Sequence, residues 1–347
     1  MVERKPLEIS TGIVLRTLAI VLLLWLLYAV RDIIALFFFS IILAATLDPL
    51  VDKMQKKGVA RSVAVGIIYI ALLGIISLGA SFILPPLWGQ VQDLVMNLPQ
   101  YGAKLTRALE GFTGYASNYG ININTEKLFA NMLGDSFGSS GELFATTASV
   151  LHAFVSVVVV FSLSFYMLVK EEGMKRFIVS LTPKAHRTYV ISLYERIRSK
   201  IGRWLFGQVI LMLFIFAIDW AVLTMFDIPY ALLLASIAGI LEIVPYIGPI
   251  ISAALAALVG LFISPATSLL ILGLFTLTQQ IESHVVVPQV MRKAVGLNPV
   301  VVILALLIGA KLGGTLGAIL SIPLATAVGV FIGDIVSGRE SFAEAGV

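Results

Sequence analysis

Long apolar runs separated by short charged clusters are the dominant pattern of this chain. Ile13–Val30 and Ile33–Leu47 are parted only by Arg31-Asp32 and predict a tight helical pair. Val63–Leu84, Val150–Val169 and Trp204–Phe226 are each as long as a full membrane span. Beyond Pro229 almost every residue to Ile335 is apolar, with a few polar clusters between. A run of about 20 residues matches a hydrocarbon core near 30 Å. The pattern therefore predicts an all-α integral membrane protein with about six full or near-full spans.

Two stretches between spans carry helical periodicity of their own. In Pro85–Ala148, Val91, Leu94, Val95 and Leu98 recur at helical spacing, and so do Tyr101, Leu105, Leu109 and Phe112, with Pro99 between the sets. Two amphipathic helices are expected there, lying over the membrane or against neighbours, followed by a turn-rich Gly134–Gly141. The segment reads as a structural cap; a solute vestibule is the functional alternative. In Lys170–Arg203, Thr182-Pro183 marks a break. From Tyr194 onward one helix is expected to run directly into the Trp204 span, its basic face meeting lipid headgroups.

Composition sharpens the class. Hydrophobic residues make up 59% and charged residues 13% of the 347. Soluble domains average roughly 45–50% and about 25%, so the excess must face lipid. The net charge of +4 sits between spans, which fits membrane orientation and argues against nucleic acid as a partner. Lys53, Lys56, Lys57 and Arg61 fill one connection, and Lys170–Arg203 is the richest in Lys and Arg, whereas Pro85–Ala148 has only Lys104, Arg107 and Lys127. The positive-inside bias then places the N-terminus and the basic linkers in the cytoplasm and Pro85–Ala148 outside. With no cysteine, disulfides and thiolate chemistry are excluded. His152, His186 and His284 are scattered, so no metal centre and no cofactor are expected. Arg31-Asp32 and another apolar run follow the first run, in place of a cleavage site, so that run is read as a retained helix.

The apolar C-terminal half is broken twice. Asp227–Ser264 as one helix would be about 55 Å long, far more than the core is thick. In its middle stand Glu242 and Pro245-Tyr246-Ile247-Gly248-Pro249. The prolines remove amide donors and clash with the preceding turn, and Gly248 is expected to permit the bend. Pro249 suits the first position of the returning helix, whose amides would suit an oxygen-rich solute. Asn298–Ile335 repeats the pattern around Gly313-Gly314-Thr315-Leu316-Gly317, with Pro323 later. Each break is either a re-entrant hairpin or a pair of short spans. Broken backbone at membrane depth is tolerated where protein or water covers it. Each broken region follows a span, Trp204–Phe226 or Leu269–Val287, so the two units form an inverted repeat in topology, a known transporter plan. The two breaks are expected to meet near mid-membrane.

Polar chemistry gathers in the same half. Thr276, Gln279, Gln280 and Ser283 recur at helical spacing, with Thr278, Glu282 and His284 nearby. Asp219, Glu242, Glu282 and Lys311 are the ionisable residues deepest in apolar sequence, and such groups are costly in lipid. Glu242 and Glu282 each adjoin a break and are the leading candidates for solute or ion binding, with Asp219 for ion coupling. A structural ion pair is the bland reading of Asp219, and snorkelling that of Lys311. Close helix approach is the bland reading of Gly309, Gly313 and Gly317.

Pro245–Pro249, Gln280-Ile281-Glu282 with Pro288, Asn298-Pro299, and Gly309–Gly317 with Pro323-Leu324 together resemble the autoinducer-2 exporter family of bacterial membrane transporters. Asp48-Pro49-Leu50-Val51 and Trp204–Gln208 fit it as well, so the resemblance covers nearly the whole chain. It implies export of a small polar signal molecule such as autoinducer-2, the quorum-sensing signal, from homo-oligomers in the bacterial inner membrane, with pentamers as the expected form. Some relatives are assigned as sodium/proton antiporters. The chain divides into N-terminal membrane helices 1–84, an extracytoplasmic segment 85–148, a span with a cytoplasmic linker 149–203, a transport core 204–335 and a tail 336–347. Three readings follow: a secondary transporter, with Glu242, Pro245, Tyr246, Gly248, Pro249, Gln279, Gln280, Glu282, Gly313, Gly314 and Thr315 binding solute or ion; a cation/proton antiporter using Asp219, Glu242 or Glu282; and a membrane scaffold or receptor acting through 85–148. No enzymatic dyad or metal motif stands out.

Overall fold

The computed structural model describes residues 11–117, 140–291 and 298–337. Among them there is no strand. Helix α1 (Thr11–Ala29) and α2 (Arg31–Gln55) are separated by Val30 alone. They are followed by α3 (Arg61–Ser117), α4 (Ser140–Val169), α5 (Glu171–Leu181) and the long α6 (Arg187–Met225). Then come α7 (Ala231–Leu241), α8 (Ile247–Leu261), α9 (Pro265–Ile281), a π-helical turn (Glu282–Val286), α10 (Val287–Met291) and α11 (Pro299–Val336). Five stretches are long and apolar enough to cross a bilayer: Arg31–Gln55, Arg61–Asn97, Lys184–Met225, Pro265–Met291 and Pro299–Val336. Shorter apolar helices, Ala153–Val169, Ala231–Leu241 and Ile247–Ile263 among them, accompany these. The molecule is a multi-pass membrane protein.

Two expectations about boundaries change. The segment after Leu84 does not start a new helix: α3 continues through Pro85, Pro86 and Pro99 to Ser117. Pro85 and Pro86 sit on exposed helix surface, where a bend relieves the proline clash without stranding buried carbonyls. Most of Gly134–Gly141 lies outside the described residues. The second change is at Pro288, which does not end its span. The helix widens to a π turn, in which the Val287 amide bonds to the Glu282 carbonyl, and runs on to Met291. A π turn makes room for the proline ring and for the amide that position 288 lacks. The start of that span is set by Ser264, whose hydroxyl accepts from the Thr267 amide at 3.0 Å, with Pro265 in the first turn.

Three apolar clusters hold the helices together. Near the basic connections, Leu47 and Val51 of α2, Val65 and Tyr69 of α3 and Leu168 of α4 pack together. Arg61 locks this corner by bonding Asp48, Asp52 and the Leu168 carbonyl, and Arg198 of α6 reaches the same Asp48 at 2.6 Å. A central cluster joins Ile42, Trp204, Leu306, Leu320 and Ile322, with Val244 against it. At the opposite end, Ile215 and Leu223 of α6 pack with Leu234 of α7, Val259 of α8, and Ile271 and Phe275 of α9.

The broken regions are both hairpins. Helices α7 and α8 pack against each other with their base at the end remote from the basic connections. There the Tyr101 and Tyr230 hydroxyls bond at 2.9 Å, Tyr101 stacks on Phe262, and Gln90 of α3 accepts from the Leu233 amide at 2.8 Å. Burial and the Tyr101 hydroxyl push the Tyr230 phenol up to about 12, so Tyr230 stays uncharged at neutral pH. In α11, Gly313 (φ −130°, ψ 16°) and Gly314 (φ 58°, ψ −142°) reverse the chain. A Cβ on Gly309 would lie 2.3 Å from the Gly317 carbonyl oxygen, so the two arms touch backbone to backbone there. The base of this hairpin is tied to the basic end by the ion pair of Asp334 with Arg196. The two span-plus-hairpin units thus run in opposite directions, as the inverted topology requires.

Candidate functional site: a buried carboxylate cluster

The first hairpin delivers its tip to the middle of α6. Pro245 cannot continue α7 and biases Val244 away from helix. Tyr246 then takes φ 65°, so the left-handed turn falls on Tyr246 and not on Gly248 as expected. Gly248 serves another need: a Cβ there would lie 2.0 Å from the Leu241 carbonyl oxygen. Only glycine lets the returning helix pass this close to the end of α7. Ile247 opens α8, so Pro249 occupies its third position, where its missing amide is still no loss.

At this tip Gln208 of α6 donates from Nε2 to the Glu242 backbone carbonyl at 2.5 Å. That bond fixes which end of the Gln208 amide is oxygen. Its Oε1 is fully buried and has no hydrogen-bond partner among the described residues. Glu242 and Glu282 share a cavity with Gln208, Asp219 stands three turns further along α6, and each of the three carboxyl groups is at most 3% exposed. Asp219 lies near the Thr278 hydroxyl, and the Glu242 and Glu282 carboxyls lie beside each other. Two carboxylates have no donor between them, so a hydrogen bond joins this pair only when it holds a proton. Gln279 Nε2 donates to Glu282 Oε2 at 2.7 Å. Glu282 continues the buried stripe of Ile271, Phe275 and Thr278 at regular helical spacing, and the π turn begins with it.

Two cavities meet at this cluster. One, of about 210 Å³, is lined by Asp219, Pro249, Ser252, Phe275 and Thr278 on the side of the Tyr101–Tyr230 contact. The other, of about 270 Å³, is lined by Trp204, Gln208, Pro245, Tyr246, Glu282 and Met291 toward the basic end. Glu242 and Gln279 line both and form the wall between them. Among the described residues no Lys, Arg or His lines either cavity. Carboxyl, amide and hydroxyl groups in apolar walls suit a polyhydroxylated neutral solute or a cation, and disfavour an anion.

Of the sequence candidates, the structure gathers Asp219, Glu242, Pro245, Tyr246, Pro249, Gln279, Gln280 and Glu282 on these cavities, and places Gly248 behind the tip. Gly313, Gly314 and Thr315 are not brought there. Gly313 lines a separate groove against α2 that shares no residue with either cavity, and Thr315 is exposed at the hairpin turn. The breaks therefore do not meet. The second hairpin reaches the cluster through the sides of its arms, with Val302 and Ile322, because the arms, not the tip, pack at the level of Trp204. The polar arc on α9 also shifts: Thr278 and Glu282 are its buried members, whereas Thr276, Gln280 and Ser283 are exposed.

Across the chain as a whole, a model described as AI-2E family transporter matches residues 17–337. The chain belongs to that family. YueF of Bacillus subtilis is 26% identical, over 87% of this chain and 85% of its own length. YrrI of the same organism is 28% identical over 83% of this chain and 82% of its length. Both are provisionally named transport proteins. The Escherichia coli AI-2 transport protein TqsA is 24% identical over 89% of this chain and 88% of its length. Membership makes this a membrane transport protein. Within this AI-2E chain, Gln208 and Thr278 line the candidate site, although the sequence reading named them only within the Trp204–Gln208 motif and beside the polar arc, without a site role. A lone amide inside the apolar run Trp204–Phe226 is the signal that marks Gln208.

Proposed function

We propose that this chain carries a small polar solute across the bilayer by alternating access between the two cavities. Their meeting at a shared wall, Glu242 and Gln279, is the observation that carries the reading. Opening one cavity while the other closes exposes the cluster to one side at a time. A hydroxylated neutral solute such as autoinducer-2 fits the lining, and the name of the relative TqsA points to that solute class. Export follows if the basic end is cytoplasmic, as the positive-inside bias assigns. The adjacent Glu242 and Glu282 carboxyls favour a second reading, cation/proton antiport, in which an arriving cation displaces a proton held between them.

The test is flux in proteoliposomes holding the purified chain. Candidate hydroxylated solutes are compared with sodium under imposed proton gradients. Solute flux lost in Glu242→Gln supports carriage through the cluster. Sodium-driven proton movement without solute flux supports antiport. Wild-type flux of both in Glu242→Gln removes the cluster from the pathway.

A further inference from the structure

The cavity toward the basic end has an imbalance of donors and acceptors in its wall. Helix α6 supplies Trp204, Gln208 and Leu211, about one turn apart on its buried face. The tip of the first hairpin supplies Glu242, and α9 with its π turn supplies Gln279 and Glu282. Both amide nitrogens already serve protein acceptors. Gln208 Nε2 donates to the Glu242 backbone carbonyl at 2.5 Å, and Gln279 Nε2 to Glu282 Oε2 at 2.7 Å. Gln208 is 0% exposed, and its Oε1 has no hydrogen-bond partner among the described residues. The carboxyl groups add further acceptor oxygens. The partner that this wall calls for is a donor.

The Gln208 amide cannot resolve this by flipping. A flip would set Oε1 against the Glu242 carbonyl oxygen, acceptor against acceptor. A buried acceptor left unpaired disfavours the stance that holds it by about 5-fold to 150-fold. The oxygen is closed off from solvent in this stance, so an outside donor reaches it only when the cavity wall moves. A metal ion is the other partner that an amide oxygen takes. Among the described residues no three carboxylate or imidazole side chains come together to hold one, and Gln208 is flanked on its helix face by Trp204 and Leu211. A hydroxyl needs only one acceptor and tolerates apolar flanks.

We propose that Gln208 determines solute specificity, its Oε1 accepting a hydrogen bond from one hydroxyl of the carried solute as the cavity toward the basic end opens. This rests on the carrier reading above. Nε2 stays on the Glu242 carbonyl, so the hydroxyl is read by an amide held at the hairpin tip. A solute that meets Oε1 removes the unpaired acceptor, and its binding therefore favours the opened stance. A solute without a hydroxyl at that position leaves Oε1 unpaired and is rejected by the same factor.

Flux into proteoliposomes holding the full chain tests this, with autoinducer-2, four- to six-carbon polyols and the mono-deoxy analogues of each as probes. The quantity read is maximal flux over half-saturating concentration, parent against analogue. Wild type is expected to favour the parent by about 5-fold to 150-fold at one hydroxyl position. Gln208→Met, similar in length, removes the acceptor and should bring that ratio close to one while sparing the ratios at other hydroxyls. Gln208→Asn draws the oxygen back by one methylene and should lower the same ratio, which keeps the test open if the methionine variant does not fold. Size exclusion and helicity report folding. Equal handling of every parent and its analogues by wild type overturns the proposal and leaves carriage intact. So does a loss of flux in Gln208→Met that strikes parent and analogue alike, which would make the amide a structural tie. Unchanged ratios with loss of sodium-driven proton movement would make Oε1 a cation ligand and also overturn it. Wild type that moves none of the probes is a different result: it defeats the carrier reading, and the proposal with it.

Discussion

Replacing Glu282 separates a transport role from a structural one. Its carboxyl accepts from Gln279 and lies beside that of Glu242. In Glu282→Gln the side-chain carbonyl still accepts from Gln279, and the new amide still meets Glu242. Every neighbour keeps a partner, so the stability loss should stay below about 1 kcal/mol. In Glu282→Leu both neighbours lose theirs inside the protein. Each stranded polar group costs about 1–3 kcal/mol, so the leucine variant should be about 2–6 kcal/mol less stable before relaxation. Glutamine cannot release a proton or balance a cation. Flux in Glu282→Gln should therefore fall about tenfold or more, a factor that needs only 1.4 kcal/mol at the limiting step. Thermal unfolding of the purified variants and proteoliposome flux across a pH series read the two effects on the same samples. Wild-type flux with an unchanged pH profile in a well-folded Glu282→Gln would refute the reasoning and leave Glu242 as the next group to test.

Other expected outcomes follow from particular contacts. Gly248→Ala and Gly309→Ala place a Cβ 2.0 and 2.3 Å from a carbonyl oxygen, so both should lower the unfolding temperature, whereas Gly273→Ala, with open space around it, should not; equal behaviour of the three would contradict the packing. Arg196→Gln leaves Asp334, 3% exposed, without its cation. Arg196 is itself about a third exposed, so the loss should be about 1–2 kcal/mol and not the 3–5 of a fully buried pair, measured by thermal unfolding. For orientation, Gln100→Cys should react with an impermeant thiol reagent added to intact cells, and Ser192→Cys only after permeabilisation; the reverse pattern would invert the topology. The cysteine-free background makes each label unique.

Much of this architecture is legible in the sequence because lipid imposes simple rules. Hydropathy and length give the spans, and two prolines four residues apart mark where α7 must stop. What proline spacing does not give is the residue that turns. Tyr246 holds the left-handed conformation because Gly248 is needed for the approach to Leu241, a contact between segments that local sequence does not reveal. Prolines also mislead: Pro85, Pro86 and Pro99 remain within α3, and Pro323 within α11. The carboxylates were legible by their cost in lipid. The separation of Gly313 from them was not, since it depends on which end of the second hairpin faces α6. The role of Gln208 was hidden for a similar reason, as its partner is a backbone carbonyl 34 residues away.

The three described non-glycine residues with positive φ, Asp227, Tyr230 and Tyr246, bracket α7 at both ends. A glycine in such a place is a swivel, free to visit both signs of φ. A tyrosine held there sits in a narrow well, at a cost of about 1–3 kcal/mol that the surrounding contacts must offset. The joints of α7 are thus stiff brackets. Any change of stance that opens one cavity and shuts the other has to carry the α7–α8 pair as a single paddle, with the sliding taken up along the faces of α6 and α9. Loosening a bracket with glycine at position 246 would turn the paddle into a limp flap.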